Sequence, residues 1–169
     1  MSKSIFIDEV IFRFWGKASV DKYHPALCHM IDVGIMANEL LEVQTPRIKK
    51  RLYSLFGDST GSGLSFITAL HDIGKISPGF QIKRQDLAQP LKAHNFDFPR
   101  FAETNHGKIA SYCLPSILQE EMNCPEDLAS IISLILAAHH GVFAYCDTVI
   151  DGTPRWNESR KAITSRMFP

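Results

Sequence analysis

Two places in the chain put metal-ligand side chains next to one another at the end of an apolar run. His71 and Asp72 follow Phe66-Ile67-Thr68-Ala69-Leu70 and lead into Ile73-Gly74-Lys75, and the pair His139-His140 closes the run from Ile131 to Ala138. Imidazole nitrogen and carboxylate oxygen are usual ligands of first-row transition metals, and apolar runs that stop at such residues read as helices delivering ligands into a core. Adjacent helical residues diverge by about 100°, so each pair can give one side chain to a metal and the other to a second metal or to a group that orients the first.

One histidine on an apolar face is ordinarily a core or capping residue. The joint pattern is what points to a metal centre, because of the seven histidines, His24, His29, His71, His94, His106, His139 and His140, all but His94 lie in or beside segments that read as helical. Asp72 is the acid embedded directly in this array. A carboxylate between histidine ligands can bridge two divalent cations, and cations about 3.5–4 Å apart can hold a hydroxide nucleophile and stabilise charge on a phosphodiester. Asp72 is therefore the expected bridge. Lys75 follows three residues later, where its ammonium can face a bound phosphate or complement the helix dipole; spacing alone permits both. Ser65, Ser77 and the cysteines have no Ser-His-Asp or Cys-His context, and no Gly-x-x-x-x-Gly-Lys phosphate loop is present.

The elements that must position these residues are helical. Pro25 is an early helical residue of a segment whose apolar positions run through Leu27, Met30, Ile31, Gly34, Ile35, Ala37, Asn38 and Leu41, with His29 and Asp32 on one face. Thr45-Pro46 ends it, with Thr45 as N-cap of a short basic amphipathic helix, Arg47 to Phe56. Gly57 to Gly63 reads as a surface loop before the helix that carries His71 and Asp72, which Gly74 ends or bends. Ser77-Pro78-Gly79 reads as a turn, and residues 81–104, with two prolines and Phe96, Phe98 and Phe101, as having little regular structure. A helix is expected from Lys108 to Glu121, and Cys124-Pro125-Glu126-Asp127 starts the next. From Cys146 the pattern weakens: Asp151-Gly152-Thr153-Pro154 is a turn and residues 156–169 are a mixed, polar stretch with few apolar anchors. No strand alternation of useful length occurs. The fold class is all-α, a helical bundle with a metal site at its centre.

At 169 residues the chain is one domain, 1–169, large enough for a core without staples, with its ordered motifs within 14–141 and a weakly patterned tail over 147–169. Lys plus Arg equals Asp plus Glu, 18 each, so no whole-molecule field draws it to nucleic acid or an anionic membrane. The basic run Arg47, Lys49, Lys50 and Arg51 can track a phosphate backbone or form a solvated helix face, and Phe96, Phe98 and Phe101 can stack on bases or pack in the core. Cys28, Cys113, Cys124 and Cys146 have no C-x-x-C spacing, and Cys28 and Cys113 read as small core residues in a reducing compartment. The N-terminal residues carry an acidic break where a signal peptide needs a continuous apolar region, and no stretch reaches the roughly 18 apolar residues that span a bilayer. A cytoplasmic location is expected.

The sequence resembles the HD nuclease domain of CRISPR-associated Cas3, within the wider HD phosphohydrolase superfamily. The resemblance rests on Phe14-Trp15-Gly16-Lys17, Leu27-Cys28-His29-Met30-Ile31-Asp32-Val33, Leu70-His71-Asp72-Ile73-Gly74-Lys75 followed by Phe80-Gln81, then His106-Gly107 and His139-His140-Gly141. His-Asp alone is weakly specific; the ordered set is not. The resemblance implies an all-α HD-type domain with two divalent transition metals that cuts single-stranded DNA, as an endonuclease or exonuclease, during CRISPR interference. It assigns one metal to His29, His71, Asp72 and a late aspartate, and the second to Asp72, His106, His139 and His140. His29 is preferred to His24 because it precedes Asp32 by three residues. Fe, Mn, Co, Ni and Zn all tolerate such ligands.

In that family the late aspartate lies several tens of residues beyond the His-His pair, whereas this chain ends at Pro169. Asp147 and Asp151 are candidates by type but come early, so the chain is expected to be a fragment or a shortened family member. The helicase motifs that accompany the family domain are absent, which implies a helicase module acting in trans or on a missing part of the chain, alongside a CRISPR effector complex. Two other readings stay open: an HD phosphohydrolase acting on nucleotides, which the histidine pattern permits equally, and a catalytically deficient docking module, which the unfound aspartate permits.

Overall fold

The computed structural model describes residues 10–56, 60–143 and 145–167. The signal-peptide reading of residues 1–9 and the 57–59 part of the expected loop lie outside them. After a 3-10 turn, Ile11–Arg13, the chain forms a two-stranded antiparallel hairpin, β1 Trp15–Ala18 and β2 Tyr23–Pro25, with Trp15 opposite Pro25 and Ala18 opposite Tyr23. The hairpin adds two short strands to an otherwise helical chain. Strands of four and three residues are too short to show a period of two.

Eight α-helices follow among the described residues: α1 Ala26–Glu42, α2 Pro46–Phe56, α3 Thr60–Ala69, α4 Pro78–Gln81, α5 Gln85–Ala93, α6 His106–Met122, α7 Glu126–Ala137 and α8 Pro154–Met167. Pro25 is the extended N-cap of α1, one residue before the helix. Thr60 to Gly63, expected in a loop, form the first turn of α3, where Thr60 is buried and Gly61 lies against Asn38 of α1. Packing against α1 overrides the low helix propensity of this run. Asn105 caps α6, its side chain accepting from the Gly107 and Lys108 N–H groups at 2.9 and 3.3 Å, so the helix begins at His106 rather than Lys108. Asn123 ends it in the left-handed region at φ 53°. Pro125 and the acidic first turn of Glu126 and Asp127 start α7 as expected.

Three further expectations are corrected. Ser77-Pro78-Gly79 is the start of α4, with extended Ser77 as N-cap and Pro78 at its first position. Residues 81–104 contain α5, whose Ala88 and Leu91 are fully buried; their packing holds a helix that Pro90 conceals in the sequence. The C-terminal stretch is α8, and its Trp156, Arg160, Ile163 and Thr164 are buried. Trp156 meets Phe14 and Phe96 at ring-centroid distances of 5.9 and 4.8 Å, and its indole N–H donates to the Asp97 carbonyl at 3.1 Å. The stretch read as a tail therefore closes one wall of the core.

Phe96 is buried and Phe98 packs on Trp156 at 5.4 Å, whereas Phe101 is 73% exposed and stands outside the core. Arg47, Lys50 and Arg51 lie on the exposed face of α2, and Lys49 pairs with Glu42. The cysteines are all free; Cys113 is buried and Cys28 partly so. Among the described residues no helix is long and apolar enough to cross a membrane.

Candidate metal centre

His71 and Asp72 do not sit on a long helix. α3 ends at Ala69 and the chain tightens into a 3-10 segment, Leu70–Lys75, which buries Leu70, Asp72, Ile73, Gly74 and Lys75. Gly74 was expected to end or bend the helix; its role is close approach instead. A Cβ there would stand 1.9 Å from the His106 carbonyl, so the missing side chain lets the segment press against the start of α6. Gly107 does the same for α7, since a Cβ there would meet the Ala137 carbonyl at 2.7 Å. These two contacts bring His106 to Asp72 on one side and to the end of α7 on the other.

Asp72 stands at the centre, its side chain 3% exposed. Its Oδ2 is 3.1 Å from His29 Nε2, 3.2 Å from His71 Nε2 and 2.6 Å from Lys75 Nζ. Its Oδ1 faces His106 Nε2 at 3.4 Å and His139 Nε2 at 3.5 Å. His106 Nε2 is in turn 3.2 Å from His139 Nε2 and 3.1 Å from His140 Nε2. Two groups result, His29 with His71 and Asp72, and His106 with His139 and His140, each with ligand atoms within 4.8 Å of one another. All six residues expected from the sequence to bind metal are thus brought together.

The donor chemistry of these groups fits a cation. His71 and His139 point Nδ1 at the Thr68 and Leu136 carbonyls, at 3.0 and 2.7 Å. Nδ1–H donation there turns Nε2 inward, where it can donate to Asp72 while it carries a proton or offer its lone pair to a cation, the usual way a second partner prepares a ligating histidine. Burial lowers His106 to about 4, with the Asp72 charge opposing and Lys75 adding to the effect. Burial also lowers His29 and His139. Nitrogens aimed at each other and at a carboxylate can share protons among themselves or take a metal ion between them. Burial pushes the Asp72 carboxyl up, but hydrogen bonding by the His71 ring and the Lys75 ammonium outweighs it, so Asp72 is held well below the usual carboxylate range.

Lys75 is buried. Beyond Asp72, its ammonium donates to the Gly16 carbonyl at 3.0 Å and lies 5.5 Å from the centroid of the Phe80 ring. Gln81, fully buried, ties the same region together: its amide donates to the Lys75 carbonyl at 2.9 Å and the Trp15 carbonyl at 3.0 Å, and its oxygen accepts from the Trp15 N–H at 3.1 Å. Phe80 packs edge-on against His106, with centroids 5.6 Å apart. Trp15 and Gln81 entered the sequence reading only through a resemblance, because a hydrogen bond across 66 residues leaves no periodic signal.

The remaining candidates lie elsewhere. His24 is near the rim, its Nε2 2.7 Å from Asp32, so the three-residue interval between His29 and Asp32 does not pair those two. His94 follows the last turn of α5. Asp151 is paired with Arg160 of α8, and neither it nor Asp147 joins either ligand group among the described residues.

A helical bundle that turns five imidazoles and one carboxylate toward one point has side chains that could hold a metal ion. The chain belongs to the family described as "Cas3, HD domain", whose sequence model matches residues 15–168. It is 26% identical over 173 residues to the CRISPR-associated endonuclease/helicase Cas3 of Thermus thermophilus, a match that covers 96% of this chain and 19% of that protein. Among solved structures it matches the Thermus thermophilus Cas3 HD domain, determined in the presence of Ni2+, with a TM-score of 0.67 and 26% identity over 93% of this chain and 63% of that one. Cas3 of T. fusca matches with a TM-score of 0.79 and 25% identity over 93% of this chain and 19% of that one. The chain therefore spans about a fifth of the length of the curated relative.

Proposed function

We propose that the chain is the nuclease part of a CRISPR interference system, a metal-dependent phosphodiesterase acting on single-stranded DNA. The observation that carries this reading is the division of Asp72: one oxygen faces His29 and His71, the other His106 and His139. His29, His71 and Asp72 would hold one divalent cation, and Asp72, His106, His139 and His140 a second. Such cations supply Lewis acidity toward a phosphodiester oxygen and make bound water acidic enough to serve as a nucleophile near neutral pH.

The chain's own residues do the rest. Asp72 provides the negative charge both groups share. Lys75 keeps that carboxylate in place; with its ammonium bonded to Asp72 and Gly16, it is a positioning residue more than a phosphate clamp. The Thr68 and Leu136 carbonyls fix the ring orientation of His71 and His139. His140 is an exposed residue, so a strand can reach this side of the centre. With 18 basic and 18 acidic residues the chain has little electrostatic grip of its own, which supports delivery of the strand by a helicase module and a CRISPR effector complex.

The test is metal-supplemented cleavage of circular single-stranded DNA by the chain and by Asp72→Ala, with bound metal counted and a panel of mononucleotides run alongside. Cleavage of DNA by the parent alone is expected. Hydrolysis of mononucleotides but not DNA would replace this reading with the nucleotide phosphohydrolase, and absence of bound metal would replace it with the docking module.

A further inference from the structure

The C-terminal helix reaches the metal centre through one buried arginine. Arg160 of α8 is 2% exposed, and its Nη1 donates to the Ile76 carbonyl at 2.7 Å across 84 residues. Its Nη2 pairs with Asp151, from the segment leading into α8. Ile76 follows Lys75 directly, and its own N–H bonds back to Ile73. Its carbonyl is one of those that a helical turn leaves without a partner in its own ladder. The preceding carbonyl, that of Lys75, is taken by Gln81. Two consecutive carbonyls at the end of the 3-10 segment are therefore each held by a buried side chain from another element.

A buried ion pair is a costly device. Arg160 Nε and Asp151 Oδ1 are buried without a hydrogen-bond partner, so the pair is not fully satisfied. Well-packed apolar residues of similar volume would commonly stabilise as much. Replacing the pair by such residues would, however, leave the Ile76 carbonyl unbound and the end of the Asp72–Lys75 segment free to shift.

We infer that Arg160, oriented by Asp151, is a positioning residue for the metal centre: it fixes the backbone at Ile76 and thereby the place where Lys75 meets Asp72. The inference rests on the metal-centre reading for its consequence and on geometry alone for the brace. Arg160 touches no metal ligand and acts only through the backbone.

The variant is Arg160→Lys, whose single ammonium can keep Asp151 company but cannot span Asp151 and Ile76 as the guanidinium fork does. Three quantities are read on the full chain: amide hydrogen exchange over residues 70–77 without metal, Co2+ affinity and the visible Co2+ spectrum. Expected are faster exchange in that segment, a changed spectrum and an affinity about tenfold weaker, the scale of losing an outer-shell partner. Ile163→Val, on the same helix and fully buried, is the control for general loosening and should leave all three near parental values. Parental exchange, affinity and spectrum in Arg160→Lys would overturn the inference, as would equal changes in Ile163→Val. If Arg160→Lys does not fold, the double variant Arg160→Met with Asp151→Asn removes both charges and is read in the same way. A parent that binds no Co2+ would sink the metal reading, and the exchange measurement would still decide the brace.

Discussion

The two ligand groups that meet at Asp72 are built differently. His29, His71 and Asp72 come from the first turn of α1 and from a buried 3-10 segment, and their carboxylate is held by Lys75, with Gln81 behind it. His106, His139 and His140 come from the start of α6 and the turn after α7, offer nitrogen alone, and include the exposed His140. Charge and rigidity are concentrated in the first group and access in the second. A shared carboxylate can serve both only if the braced side fixes it, so the open side can remain accessible without losing its anchor.

The strongest way to break this comparison is to remove the shared anchor. Asp72→Ala leaves the Lys75 ammonium buried without its counter-ion, which should cost the metal-free chain about 3–5 kcal/mol in urea unfolding. His140→Ala, on the open side, should fall within about 0.5 kcal/mol of the parent. Equal losses in the two variants would erase the proposed asymmetry.

A smaller effect is expected at the brace itself. Gln81→Ala leaves the Lys75 carbonyl and the Trp15 N–H and carbonyl without their partner, and each buried orphan group costs about 1–3 kcal/mol where water cannot enter. Denaturation midpoints of Gln81→Ala and Phe101→Ala, the latter at an exposed site, should differ clearly in that direction. Coincident midpoints would show that the braced side is held by something else.

The pH dependence sharpens the contrast further. His29, His106 and His139 all have folded-state values below the unfolded one, and His106 is lowered to about 4. Between that value and 6.5 the unfolded chain binds more protons than the folded chain, so stability rises with pH across this window. The metal-free chain should therefore keep its full stability above pH 6.5 and lose it progressively as the pH falls toward 4. Thermal midpoints from pH 7.5 to 4.5 check this, and His106→Gln should flatten the profile.

The smallest effect is expected at His24. Its partnership with Asp32 is half exposed and of the kind worth at most about 1 kcal/mol, so His24→Ala should leave metal content and fold nearly unchanged. His29→Ala should lose one equivalent of metal in the same assay. Loss of metal from the His24 variant would reassign the early ligand.

Much of the centre was legible in the chain because His71, Asp72, His139 and His140 sit where apolar runs stop. α1, α6 and α7 were legible for the same reason: their apolar spacing is regular and their boundaries carry Pro25, Asn105 and Pro125. α8 was not, although Trp156, Arg160 and Ile163 recur at helical spacing, because the middle member of that stripe is charged and reads as a solvent-facing residue. α5 was hidden by Pro90, and the hairpin by the shortness of its strands. Thr60 to Gly63 carry the composition of a loop, and only the neighbouring α1 makes them helical.

By itself the sequence determined the helical class and pointed to the histidines and the aspartate that meet at the centre, since apolar period and residue chemistry are local properties. Tertiary structure alone decided how Asp72 divides its two oxygens and that Lys75 faces inward. It also decided that an arginine 84 residues away holds the Ile76 carbonyl. Those outcomes depend on which backbones approach closely enough, at Gly74 and Gly107, and on which buried polar groups must find partners once water is gone.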